Sequence, residues 1–417
     1  VPWRAIAATG IGILVAFLPT FAWLPGIDPE LAREALFSSS FTPPTQLSVG
    51  AISVMPFISG FVLVECVARL VPRWRPLRFG DAGRATLFRA AVVAGVVLGA
   101  MQALMLVAWL RGISSNGMTV VNLDANPGLM AAAVLGGSLV AFAGAQLISR
   151  HGAGNGMSWV LGLIIVGEVV PAIAQQVEVG WRESMALPTI GVVVASVVLS
   201  LRIGRPSHEG APQPAGGVLG VQTASALVAI PFVAEVVSPG TSLATALLVG
   251  STAAGTSFFV WLMYRPAVMR RATASHWQDQ QEALLFAVTV VVIEAVGRHF
   301  FAAVSAVGVV IVAAIVRDIA TELRFRWQHG DVSTLCRVDD LVDLDGTMLR
   351  LADGNVDVCA SGQCHRLLGH FFMPYVPITL LVPAGDVDRA QAVLCKAASG
   401  APFDTAATPN TDNDVSR

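Results

Sequence analysis

Ten apolar runs, most of them close to the ~20 residues that an α-helix needs to cross a bilayer, dominate the first three-quarters of the chain. They fall at about 5–24, 48–68, 90–110, 129–149, 157–177, 187–203, 216–237, 243–264, 282–297 and 300–321. The sixth and ninth are short. The breaks between them carry Pro, Gly, Asn or Arg, the residues that punctuate helices. A lipid-embedded backbone must satisfy its own polar groups, so runs of this length predict helices. Composition agrees: 54% of residues are hydrophobic and only 13% charged, with mean hydropathy +0.68, against about 25% charged residues in soluble domains. The predicted class is a polytopic α-helical membrane protein. A net charge of −2 gives no electrostatic footprint for nucleic acid. The first run is too long to read as a cleavable signal peptide.

Arginines set the expected orientation, because Lys396 is the only lysine. Arg4 precedes the first run, and Arg69, Arg73, Arg75, Arg78, Arg84 and Arg89 crowd the connection after the second. Arg150, Arg202, Arg205, Arg265, Arg270, Arg271, Arg317, Arg324 and Arg326 fall at later even-numbered connections. The opposite side holds only Arg33, Arg111, Arg182 and Arg298. By the positive-inside rule both termini are expected in the cytoplasm.

Two stretches carry a resemblance. Residues 150–173 read RHGAGNGMSWVLGLIIVGEVVPAI, a Gly154-Asn155-Gly156 turn opening an apolar run. Residues 53–59 read SVMPFIS, with a proline early in another. In that order, about a hundred residues apart, they resemble the SecY family, the channel subunit of the protein-export translocon. Pro25-Gly26-Ile27-Asp28 is similar to the segment after that family's first helix. Gly80-Asp81-Ala82-Gly83-Arg84 is similar to its cytoplasmic turn before the third, and Gln102 to a glutamine late in that helix. The resemblance implies ten transmembrane helices in two inverted halves, 1–177 and 178–327, around a central pore.

By the same resemblance, Val54 and Ile58 fall where the family places pore-ring aliphatics. Leu219, within AGGVLGVQTASALVAIP, becomes a third candidate and Ile311 a fourth. Val54 and Ile58, four apart, share a helix face; two aliphatics in a membrane helix are also ordinary packing residues. A ring of flexible apolar side chains can close around a passing polypeptide and dewet when empty. Such a channel passes unfolded precursors across the membrane, or sideways into lipid, and needs no catalytic group, metal or cofactor; none is found. The implied partners are a SecE-like subunit, a SecG-like subunit and a motor ATPase or ribosome. The implied location is the bacterial inner membrane.

The departures concern docking. The cytoplasmic loops expected to receive a motor or ribosome are reduced to 202–214, with Arg202 and Arg205, and to 265–282, with Arg270 and Arg271. The plug region, around Ser38 to Pro44, is short, and Leu18-Pro19-Thr20 replaces a family motif late in the first helix. Three readings stay open: a divergent working translocon, a specialised paralogue or transporter without motor docking, and a membrane anchor for a sensing domain. Glu65, Glu168 and Glu294 lie within apolar runs, where a carboxylate marks a candidate functional site or faces a hydrated funnel. Gln146 and Gln222 are candidate interhelical hydrogen-bonding groups.

After Trp327 the pattern shortens to strand length. STLCRVDD, VDVCAS and ITLLVPA predict strands; LVDLDGTMLRLADGN and DVDRAQAVLCKA predict helices. The order suggests a small ferredoxin-like α+β domain over 331–400. Its last stretch, PITLLVPAGDVDRAQAVL, resembles a bacterial family of signal-transducing domains. Residues 401–417 are expected to be disordered. Cys336, Cys359, Cys364 and Cys395, with His365 and His370, admit a zinc site or buried structural thiols. Asp339, Asp340, Asp343 and Asp345 read as a solvated helix start.

Overall fold

The computed structural model describes residues 3–35, 47–79, 81–112, most of 114–122, 124–178, 190–196, 306–338, 341–364 and 378–398, with single positions at 198 and 289. Helix α1 spans Trp3–Phe17 and tightens into a 3-10 turn at Leu18–Phe21. Pro19 has no N–H to continue the α-helical ladder, so the first run predicted at 5–24 ends three residues early. Gly26, at φ +85°, receives the Asn122 N–H on its carbonyl at 2.8 Å. Asp28 Oδ1 then accepts the Glu30 and Leu31 amides at 2.9 and 3.2 Å, capping the short helix α2, Pro29–Ala35. Ser38 to Pro44 lie outside the described residues.

Helix α3 spans Met55–Leu70, and the run predicted from residue 48 begins as a turn. Helix α4, Asp81–Gly112, starts nine residues before the run predicted at 90–110. Asp81 to Arg84 therefore form its first helical turn rather than a connecting turn. A 3-10 segment at Arg75–Phe79 folds so closely onto that turn that a side chain at Gly83 would strike the Leu77 carbonyl. The small antiparallel ladder β1 (Ser114–Ser115) and β2 (Met118–Thr119) follows. Asn126 caps α5, Pro127–His151, by accepting the Gly128 and Leu129 amides at 2.9 and 3.4 Å. Helix α6 is Gly156–Glu178 and α7 is Ala306–His329.

Small residues let these helices touch. At Gly60 of α3, a Cβ would stand 2.6 Å from the Ala91 carbonyl oxygen and the Gly95 nitrogen of α4. At Gly144 of α5 it would stand 2.6 Å from the Ala16 nitrogen and the Gly12 oxygen of α1. In lipid there is no hydrophobic drive between helices, so such close packing does the work. Phe57 of α3 stacks on Phe142 of α5 with ring centroids 4.2 Å apart. The outward face of α4 carries Val93, Val97, Met101, Leu104 and Met105, all exposed and spaced as one helical stripe. Among the described residues, Trp3–Phe21, Ala82–Gly112 and Pro127–His151 are long and apolar enough to cross a membrane, and Met55–Ala68 and Gly156–Gly167 are shorter apolar helices. The runs predicted at 216–237 and 243–264, and nearly all of 282–297, lie outside the described residues.

Gly330, at φ +73°, ends α7 with its N–H on the Arg326 carbonyl at 2.9 Å. The chain then forms β3 (Val332–Val338), α8 (Leu341–Asp353), β4 (Cys359–Ser361), β5 (Ile378–Pro383) and α9 (Val387–Ala398). The sheet order is β3-β5-β4, with both pairings antiparallel. The central strand is buried on both faces: Ile378, Leu380 and Val382 are fully covered, and Leu381, pointing the other way, packs with Phe325 of α7. That position explains why ITLLVP lacks a polar alternation.

Gly60→Val should cost about 1–3 kcal/mol by overpacking the α3–α4 crossing. Gly136→Ala, where the added methyl meets nothing within 4 Å, should leave stability unchanged or raise it. Unfolding of the purified protein in detergent measures both.

Candidate functional site

Val54 sits at the N-cap of α3 and is fully buried; Ile58, one turn on, is 8% exposed. The turn before them is pinned to α5. The Ser138 hydroxyl donates to the Ser53 carbonyl, and a side chain at Gly137 would collide with the Val49 carbonyl. Ser53 holds φ +41°, a left-handed conformation that a non-glycine residue rarely adopts. Ile311 of α7 is fully buried. All three aliphatics fall in a buried apolar network that runs from Ala16 and Val54 to Leu344 and Ile378 of the C-terminal unit, so their common membership records burial and not a shared ring. Leu219 lies outside the described residues. Glu65 is 1% exposed on α3, and Glu168 lies on α6.

The second centre is the turn between α5 and α6. Asn155 Oδ1 accepts the Met157 and Ser158 amides at 3.0 and 3.2 Å, the role an N-cap asparagine fills. Gly154 takes φ +78°. Gly156 is packed so tightly that a Cβ would run into the Ala145 carbonyl. Three neighbouring segments complete the joint. Ser149 Oγ of α5 accepts the Gly156 amide at 2.9 Å, and Thr9 Oγ1 of α1 accepts the Ala153 amide at 2.9 Å. Trp159 Nε1 donates to the Ala153 carbonyl at 2.7 Å. Finally, Glu322 of α7 accepts the Gly154 amide on Oε2 at 3.1 Å.

Glu322 was not singled out by sequence reasoning. It is 2% exposed and also takes the Arg326 Nε at 2.8 Å on Oε1 and the Ser361 hydroxyl at 2.5 Å on Oε2. The signal available was its i,i+4 spacing to Arg326 just beyond the last apolar run. Asp318, one turn earlier, accepts the Cys364 amide at 2.8 Å. Of the other predicted residues, Gly83 and Arg84 lie in the first turn of α4. Gly80, Arg202, Arg205, Arg270 and Arg271 lie outside the described residues, as do Glu294, Asp339 and Asp340.

Burial pushes the Cys359 thiol up to about 12, helped by the Glu322 and Asp318 carboxylates and opposed by Arg326. Cys364 is likewise pushed up to about 12 by burial, then by Asp318, with Arg317 acting in the opposite sense. Cys336 is raised by burial. Among the described residues no three His, Cys, Asp or Glu side chains gather to hold a metal.

A family model described as SecY matches residues 48–204. Over 217 residues the chain is 27% identical to the protein translocase subunit SecY of Streptomyces coelicolor, covering 45% of this chain and 49% of that one. Against the SecY subunit of Aquifex aeolicus it is 26% identical over 197 residues, 43% and 44% of the two chains. The chain thus spans about half the length of the curated relatives it matches. A structure described as a protein-conducting channel superposes with TM-score 0.53 at 11% identity, covering 78% of this chain and 93% of that one. Sec61 in a canine ribosome–channel complex superposes with TM-score 0.51 at 11% identity, over 78% and 93%.

Two outcomes are expected. Asn155→Ala should lower stability by about 1 kcal/mol, the usual cost of a lost N-cap, in detergent unfolding. Burial holds the Cys359 and Cys364 thiols well above the ordinary cysteine range, so at pH 8 very little of either is thiolate, the reactive form. Mass-resolved alkylation should therefore label exposed Cys395 well before either. The chain has the fold of the SecY and Sec61 channels, and its residues 48–204 are similar in sequence to SecY.

Proposed function

We propose that the chain is a protein-conducting channel subunit that passes unfolded polypeptides across the membrane or laterally into it. The observation that carries this is the superposition on protein-conducting channels together with the SecY likeness over residues 48–204; Val54 and Ile58 at the first turn of α3 and Ile311 of α7 are buried aliphatics in keeping with it. Aliphatic side chains drawn from helices far apart in sequence suit a constriction that seals by dewetting and yields to any passing chain. Leu219 would complete the ring. In this reading ten helices form two inverted halves, 1–177 and 178–327, and no step makes or breaks a bond.

The proposed location is the bacterial inner membrane with both termini cytoplasmic. What supports the orientation is the clustering of Arg150, Arg324 and Arg326 at the bundle end where Thr9, Gly154 and Glu322 meet. A SecE-like helix, a SecG-like subunit, secretory precursors and lipid are the proposed partners. A motor or ribosome would approach Arg202, Arg205, Arg270 and Arg271. The short loops bearing those arginines favour a second reading, a paralogue or transporter that has lost motor docking. For residues 331–400 we propose a ferredoxin-like unit. Its support is the split arrangement in which β5 lies between β3 and β4.

The test is a photoreactive residue in place of Ile58, with a stalled secretory precursor in the native host. A crosslinked precursor is expected. No crosslink, where an ordinary translocon captures the same precursor, overturns the channel reading. A companion variant, Ile58→Gly, should raise resting ion leak in planar bilayers; an unchanged leak would remove Ile58 from the constriction.

A further inference from the structure

We infer that the C-terminal α+β unit is a built-in occupant of the arginine-bearing end of the bundle, latched through Glu322 so that its release also loosens the α5–α6 turn. Glu322 is the positioning residue. Its carboxylate is shared between three segments: Oε1 takes Arg326 of its own helix, while Oε2 takes both the Gly154 amide and the Ser361 hydroxyl at the end of β4. One oxygen atom therefore joins the turn that starts α6 to a strand of the C-terminal sheet.

Two further contacts give the docking a direction. Asp318, four residues before Glu322 on the same face of α7, takes the Cys364 amide at 2.8 Å. Phe325 closes a small apolar cluster with Cys359 and Leu381 of the sheet, and Val332 packs on it. Between Ser361 and Cys364 the chain turns at Gly362, held at φ +82°, which brings the Cys364 amide round to Asp318. On the bundle side, Ile319 of α7 lies against Gly154, 3.6 Å from where a Cβ would stand.

Among the described residues, two carboxylates of α7 and the Phe325–Cys359–Leu381 cluster hold the unit, and unless an interdomain interface is large and hydrophobic, relative motion is the default expectation. A buried carboxylate that loses a donor is left with an unmet acceptor, so the donors of Glu322 hold or release together. While latched, Ser361 of the C-terminal unit and the Gly154 amide stand on the same carboxylate oxygen. The inference does not depend on what the bundle conducts.

Hydrogen exchange of the full-length protein in lipid nanodiscs tests this, because the Gly154 and Cys364 amides are themselves bonds of the joint. Glu322→Ala should speed exchange at both by roughly tenfold or more, the scale of a lost charge-assisted hydrogen bond. Ser361→Ala, remote from the bundle core, guards against a simple folding defect. It too should speed exchange at Gly154, with α4 and α5 at parental rates. Glu322→Gln, which keeps an acceptor oxygen, should fall between Glu322→Ala and the parent. The inference is overturned if Ser361→Ala speeds exchange only within the sheet. It is equally overturned if Glu322→Ala leaves both amides at the parental rate.

Discussion

A helix that begins at the end of a bundle presents amide groups that its own backbone cannot satisfy. Near a membrane, each must find an acceptor or stay hydrated. The first amides of α6 are met by Asn155 itself and by Ser149 of α5, and those of the turn leading into it, Ala153 and Gly154, by Thr9 of α1 and Glu322 of α7. Meeting the amides of this one joint ties three other helices to it. The Gly154-Asn155-Gly156 sequence is what permits so many neighbours at one point. A positive φ at Gly154 turns the chain, and the bare Cα of Gly156 lets the Ala145 carbonyl approach.

The apolar core follows from that joint. With α1, α5, α6 and α7 tied at one end, the glycine crossings at Gly12 with Gly144 and at Gly60 with Gly95 bring helix backbones close along their length. Val54 and Ile58 stand on a helix whose first turn is itself held to α5 through Ser138 and Gly137. A constriction built there would have a firm backbone and soft, apolar side chains, which suits a seal that must yield without bonding to what passes.

Much of this was legible from residues near one another in sequence. The limits of α5 and α6 follow from Asn126-Pro127 and from Asn155-Gly156, because capping is local chemistry. The motif joining residues 53–59 to 150–173 pointed to the fold that superposition supports. The start of α4 at Asp81 was hidden, because its first turns are polar and carry Arg84 and Arg89, and an apolar window sees only what is lipid-facing. Pro19 was read inside a span, yet it converts the last turn of α1 to 3-10 geometry. Glu322 was missed for a different reason: its partners lie 168 residues before it and 39 after it, and no local pattern encodes such a meeting.

Only Gly330 and Asp331 separate α7 from β3, and Gly330 takes the left-handed turn between them. The sheet's bearing on the bundle is therefore a matter of helical phase. Each residue of α7 advances the chain by about 100° around the helix axis. Gaining or losing one residue between Glu322 and Gly330 would swing Ser361 away from the carboxylate it meets, even with every side chain retained. The length of those last two turns or so works as a keyway, fixing at what angle the appended unit sits on the helical bundle.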